Sequence, residues 1–449
     1  MLKHLLFVLC FGAFSIGIGQ TYFEGGIFTP TNWTLAESPY IITGNVTVFP
    51  GGSLNINPGV EVKVNDGFII EIRDNKFTAI GTEGQPIIIK SNNPTPSQTS
   101  WEGILLTDSS SLEFEYVNIS DAHKAIDYEL PPTPISASDV ITCKNCNFQN
   151  NYYGITGTTN FPKSYFFQCT FDNNQTGVSI DDQEGYPAVF EGCNFTNNAG
   201  GALTNYSTFI NTDFCSNLYI ALGDADSVIN CSFANNTGYT SLGYSDYVVG
   251  NIYTENTRPF SISFNPTLVF ENNYIYNNTV GLDIYAIDES FFNAAGNYIC
   301  NNDTNIVFDL AQNKQLLNVC FCETDSATIA ATIIDGYDDG TLGLLSFAPY
   351  TTCDSDIFDD LPEIECASPV IDGINTLTQL PILIYPNPAD DFIYLPGLAA
   401  NSLVYIIDIS GKVMLSTQLD ATPIIDVSHL ARGMYTVITS SGNTIFVKL

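Results

Sequence analysis

Basic side chains are scarce: 13 Lys and Arg stand against 48 Asp and Glu, a formal net charge of -35. Such a chain repels the phosphates of nucleic acid and the anionic surface of a membrane, so no nucleic acid is expected as a partner. Metal cations, neutral glycans and cationic surfaces remain. After the N-terminus no stretch reaches the roughly 18 uninterrupted apolar residues of a spanning helix, so no direct membrane insertion is expected. Charged residues of both signs make up only 14% of the chain, while 34 Gly, 24 Tyr and 30 Phe favour strands and turns over surface-charged helices. Histidine is rarer still, with His4, His123 and His429 the only three.

The N-terminus has the layout of a signal peptide over residues 1–19. Lys3 and His4 precede an apolar run from Leu5 to Ile18, and Gly17-Ile18-Gly19 supplies small residues before Gln20. Cys10 follows Leu9 inside the apolar run and does not suit a lipoprotein acceptor. Without Cys10 the 12 cysteines become an odd set, so at least one thiol is unpaired or pairs between chains.

What the sequence does have is a repeat. CNFQNN at Cys146 returns as CTFDNN at Cys169, CNFTNN at Cys193 and CSFANN at Cys231, with looser copies at Thr212 and Asn297. Aligned on the residue two after the Cys position, the copies give Phe148, Phe171, Phe195, Phe214, Phe233, Tyr253, Ile275 and Ile299, with spacings from 19 to 24 residues. Cys and Phe two apart share one face of a strand, and the Asn pair bends the chain because Asn tolerates the left-handed region. A second short strand follows, as in TGVSI at Thr176, GGAL at Gly200 and VGLDI at Val280. Short strands bury their apolar faces only by stacking on their copies, roughly 4.8 Å apart, which makes columns of Cys, Phe and Asn along a parallel coil.

With these motifs, and with the opening rungs ITGNVTVFPGGSLNINPGVEVKV at Ile42 and WEGI at Trp101, the chain resembles the secreted right-handed parallel β-helix proteins of pectate-lyase-like architecture. The expected class is all-β: a right-handed parallel β-helix (solenoid) with its N-terminal cap over residues 20–310, about a dozen turns. Residues 311–366 are expected as a C-terminal cap with one short α-helix near Thr324 to Gly340, Asp325 or Thr324 serving as N-cap. Cys320, Cys322, Cys353 and Cys366 are expected to form a disulfide or two in that cap. Residues 367–381 read as a linker.

The tail has alternating runs bounded by Gly, Pro or Asp, the pattern of a small Ig-like β-sandwich over residues 382–449. It contains Pro386-Asn387-Pro388, then Asp408 and Gly411-Lys412, then Leu430, Gly433 and Tyr435 in the spacing LxxGxY. In order and position these motifs closely resemble the type IX secretion sorting domain. The resemblance implies the type IX secretion machinery as partner, and a final location secreted from, or on the outer-membrane surface of, a Gram-negative bacterium.

Chemistry is sparser. A lyase of the pectate type needs a base beside carboxylates, and from Lys144 to Leu310 only Lys144, Lys163 and Arg258 offer themselves, with Arg258 reading as a turn residue. Asp181, Asp182 and Asp213 superficially resemble polygalacturonase motifs, and carboxylates on neighbouring rungs could serve a hydrolase. Asp335, Asp338 and Asp339 form an acidic run suited to Ca, though not in an EF-hand pattern, so no cofactor is expected and Ca is possible. Tyr152, Tyr153, Tyr239, Tyr244 and Tyr247 are candidates for a sugar-stacking face. The reading is a non-catalytic protein for adhesion or glycan binding, with a polysaccharide as possible partner. The alternatives are a carboxylate-only polysaccharide lyase or glycoside hydrolase, and a structural surface or matrix component.

Overall fold

The computed structural model describes residues 19–107, 109–129, 141–157, 161–182, 187–243, 245–264, 266–287 and 289–353 of the first part. Beyond these it describes 357–358, 361, 364, 366, 384, 389–395, 403–408, 413–419, 423–439 and 442–448. The expected signal peptide, the linker and Tyr244 lie outside the described residues. The chain divides into two compact units, residues 1–369 and 370–449.

The first unit is a parallel β-solenoid. A typical turn is made by Ser164–Phe167, Thr170–Asp172 and Thr176–Ile180, and each strand pairs in parallel with its copy in the next turn, Ala188–Glu191, Asn194–Thr196 and Gly200–Leu203. The predicted column from Phe148 to Ile299 is an unbroken line of register partners. Its rings stack face to face, with centroids 4.6–5.0 Å apart from Phe148 through Phe233. Each buried ring therefore contacts the next turn on both sides, which sustains a core that no single turn could close alone. The strands preceding each copy form a third stack, eleven strands high, that the sequence motifs do not mark.

Two corners per turn are set by left-handed residues. The corner after the Phe strand has positive φ at Asn150, Asn173, Asn197, Ser216, Asn235, Glu255, Asn277 and Asn301. The residue that follows is a buried Asn in every one of these turns, and these asparagines form a ladder. The Oδ1 of Asn198 accepts from the backbone N–H of Asn174 at 2.9 Å, and its Nδ2 donates to the Phe171 carbonyl at 2.8 Å; Asn217, Asn236, Asn256 and Asn278 repeat the scheme. Each side chain replaces a backbone partner that the bend has removed. At the other corner Cys146, Cys169, Cys193 and Cys231 line up with Thr212. From Asn251 the position passes to a second ladder of Asn251, Asn273 and Asn297.

The thiols of Cys143, Cys146, Cys169, Cys193 and Cys231 are free and buried, so the column packs without cross-linking. Disulfides join Cys300 to Cys322 and Cys320 to Cys353 at the end of the solenoid. Cys366 does not stay in the cap as expected but pairs with Cys215, 151 residues earlier, and Phe358 stacks on Tyr276 with centroids 4.5 Å apart. Phe358 and Cys366 thus lie against the side of the repeats. The predicted helix is a single turn, Ser326–Ala330, with the Asp325 side chain accepting from the Thr328 amide. It is shorter than the sequence pattern suggests because Ile333–Ile334 extends the sheet instead, pairing with Thr304–Phe308. Stacking also continues past Leu310, where Lys314–Leu317 pairs with Phe291–Asn293 and Leu345–Ser346.

The second unit has a four-stranded antiparallel sheet (Leu403–Asp408, Val413–Gln418, Gly433–Thr439, Gly442–Lys448) and a two-stranded one (Phe392–Tyr394, Ile424–Asp426). Ile393 and Ile425 share a core with Val404, Ile406, Val437 and Phe446, so two sheets enclose one apolar layer.

Candidate functional site

The second strands of successive turns alternate inward and outward residues, and register puts Thr156, Ser179, Leu203, Gly223 and Ser241 in one outward column. These five residues floor an open groove of about 690 Å3. Gly223 keeps the middle of the floor low: a Cβ there would fall 2.9 Å from Leu203 Cδ2. Tyr239, 44% exposed, supplies an aromatic wall. Asp181 and Asp224, each at the end of a second strand, supply carboxylates two turns apart, roughly 10 Å along the stack.

Both carboxylates are held. Asp181 accepts from the Asn205 side-chain amide and Asp224 from the Gly243 amide at 2.8 Å. The Tyr285 hydroxyl is close by, since a Cβ on Gly243 would meet it at 2.9 Å and Asp224 Oδ1 at 3.4 Å. Among the described residues lining the groove there is no Lys, Arg or His. Beside the apolar Leu203 and Ile180, the surface offers hydroxyls, carboxylates, one amide and one phenol, groups that hydrogen-bond and stack on a sugar.

The sequence-predicted carboxylates divide. Asp181 is in the groove. Asp182 points the other way, is 1% exposed, and accepts from the amides of Asn205 and Tyr206 at 2.9 Å and from Ser207 Oγ at 2.8 Å, so it staples the next turn's loop. Asp213 begins a strand of the Phe stack, Asp213–Cys215, where it accepts from Ser232 Oγ; it does not line the groove. The Asn211-Thr212-Asp213 resemblance is a corner: Asn211 has φ +48 and the Thr212 hydroxyl donates to the Phe190 carbonyl at 3.2 Å. Arg258 is a half-buried turn residue before Phe260–Phe264 whose carbonyl accepts from the Tyr253 hydroxyl. The structure therefore does not bring these four candidates together.

The acidic run of the cap is engaged by its own loop. Asp335 accepts from the amides of Tyr337 and Leu345, Asp338 from the Asp335 amide, and Asp339 from the Thr341 amide and hydroxyl. The Thr341 amide beside Asp339 holds its carboxyl below the usual range. Of the tyrosines, Tyr152 and Tyr153 cluster with His123 at centroid distances of 5.4 and 6.4 Å, Tyr247 is exposed on the third stack, and Tyr239 alone reaches the groove. Asp224 and Asn205 were missed by sequence reasoning. No single offset marked them: continuing the register past the strand ends aligns Asn205 with Asp181 but Asp224 with Thr204.

In the second unit Leu430 and Tyr435 are buried, and Tyr435 donates its hydroxyl to the Ala431 carbonyl at 2.9 Å and packs on Phe446. Gly433 opens its strand, and Asp408 is the register partner of Tyr435. Two of the three separated motif segments thus meet across one strand pair. Pro386, Asn387, Pro388, Gly411 and Lys412 lie outside the described residues.

Residues 45–186 match the family model described as right handed beta helix region, and residues 383–449 match the secretion system C-terminal sorting domain. No curated protein matches the chain. The protein carries a β-helix region and a type IX sorting tail, and is a secreted or cell-surface protein of a Gram-negative bacterium recognised by the type IX secretion system.

Proposed function

We propose that this exported β-helix protein binds glycans in the groove floored by Thr156, Ser179, Leu203, Gly223 and Ser241 and does not cut them. The observation that carries the reading is the groove's composition: hydroxyls, two held carboxylates and Tyr239, with no basic side chain among the lining residues. A lyase needs a base to take the proton beside the uronate carboxylate, and the groove offers no Lys, Arg or His for it. The N-terminal signal peptide expected over residues 1–19 delivers the chain to the periplasm on this reading, and the sorting tail takes it onward.

A hydrolase is the second reading, favoured by one observation. Asp181 and Asp224 are two turns apart, a rise of roughly 10 Å along the stack, near the separation of an inverting pair. Against it, both carboxylates are already engaged by neighbouring amides, Asp181 by the Asn205 side chain and Asp224 by the Gly243 N–H. Incubating the protein with a panel of polysaccharides, scoring bound ligand and released product together, separates the two. Retention without product, abolished by Tyr239→Ala, is the expected result. Release of reducing ends that stops in Asp224→Asn would replace binding with hydrolysis.

A further inference from the structure

Resting on the glycan reading, we propose that the groove selects glycans that carry free amino groups and rejects uronate polymers. The carboxylates of Asp181 and Asp224 stand two turns apart along one wall, and each accepts from a neutral donor, the Asn205 side-chain amide and the Gly243 amide. Neutral donors orient these carboxylates without cancelling their charge. Asp182 next door is turned inward and spent on the 205–207 loop, so it adds no competing contact at the surface.

Two bases of neighbouring turns are already engaged: Lys163 lies over the Tyr165 ring at 5.4 Å on the third stack, and Lys124 is bound at 2.7 Å to Asp127, the register partner of Thr156 one turn beyond the floor. A uronate polymer brings one carboxylate per sugar to a groove that presents two of its own, within a protein of net charge -35. Like charges at such separations repel, and no cationic side chain lines the groove to relieve them. A glucosamine unit reverses the sign. Its ammonium finds a carboxylate at the second or the fourth of the floor's five turns, while its ring has Tyr239 to stack on and the Ser179 and Ser241 hydroxyls to bond.

The test is binding of three probes to the full-length protein at about 0.15 M salt: a short β-1,4-glucosamine oligomer, the fully N-acetylated oligomer of the same length, and polygalacturonate. The expected result is a glucosamine oligomer bound about 5-fold more tightly than its acetylated counterpart, the gain of two exposed ion pairs, and no polygalacturonate binding. The double variant Asp181→Asn, Asp224→Asn keeps both hydrogen-bond acceptors and removes only two of the 35 net negative charges. It should lose the amino preference while still binding the acetylated oligomer. Equal affinity for the two oligomers, or binding of polygalacturonate, overturns the inference and leaves the groove reading standing. An amino preference that survives in the double variant also overturns it, by tracing the attraction to the protein's general charge. Failure of every probe to bind, with the variants folded by circular dichroism, sinks the groove reading and this inference with it.

Discussion

Replacing Asn198 by Ala tests whether the side-chain ladder holds the solenoid corners. Four hydrogen bonds disappear: Oδ1 loses the Asn174 backbone N–H and Nδ2 group, and Nδ2 loses the Phe171 carbonyl and Asn217 Oδ1. Two of the other three groups retain alternatives. Asn174 Nδ2 still reaches the Phe148 carbonyl, and Asn217 Oδ1 still accepts from the residue-198 amide. The Asn174 N–H, in a residue only 2% exposed, loses its Asn198 acceptor at a cost of about 1–3 kcal/mol, and the remaining losses add about 1 kcal/mol. The expected destabilisation is about 2 to 4 kcal/mol, a large share of the roughly 5–15 kcal/mol that holds a domain together. Urea denaturation should show a lower midpoint at an unchanged slope, and hydrogen exchange at the Asn174 amide should quicken about a hundredfold. The control is Cys193→Ala at the other corner of the same turn, expected to cost about 1 kcal/mol. An Asn198→Ala midpoint equal to that of Cys193→Ala, with Asn174 exchange unchanged, would refute the ladder as a source of stability.

Glu255 occupies the left-handed corner position that Asn fills in six of the eight turns, at φ +57. Glu255→Asn should therefore stabilise by about 1 kcal/mol in the same assay, and a loss of stability would refute the assignment of strain. Burial pushes the Cys231 thiol up to about 12 from 9.0. Its folded form holds the proton more tightly than the unfolded chain, so its contribution is complete below pH 9 and is lost between pH 9 and 12, by about 1.4 kcal/mol per pH unit. Base-induced unfolding should be shallower in Cys231→Ala, and an unaltered pH slope would contradict the shift. A chain ending at Gln379 should fold and accumulate in the periplasm, whereas efficient appearance outside the cell would show that the tail is dispensable for export.

How much could be read in advance depended on whether a feature recurs at a fixed offset. The Phe column and the Asn ladder recur with the same neighbours, CNF and NN, so registers from Phe148 to Ile299 followed directly. The third stack was hidden because strands such as Ala188–Glu191 and Tyr247–Val249 carry no shared punctuation and follow loops of unequal length. The handover from the Cys column to Asn251, Asn273 and Asn297 was masked by a change of residue type at a conserved geometry. Pairing of Cys215 with Cys366 depends on a chain reversal across 151 residues, which no local pattern encodes. The groove is the extreme case, since its floor takes one residue from each of five turns and their identities differ; only the turn-to-turn register reveals that Thr156 and Ser241 share a surface. In the sorting tail the reverse holds: Asp408 and Tyr435 are separated in sequence yet paired in register, and the motif had already joined them.

The most direct test of the central claim is a single experiment on the mature protein, in which a polysaccharide panel is scored for retained ligand, new reducing ends and unsaturated uronate products in the same samples. Binding without cutting predicts a saturable complex that Tyr239→Ala abolishes and no product above the protein-free control. Product that accumulates with the protein and vanishes in Asp181→Asn or Asp224→Asn would contradict it.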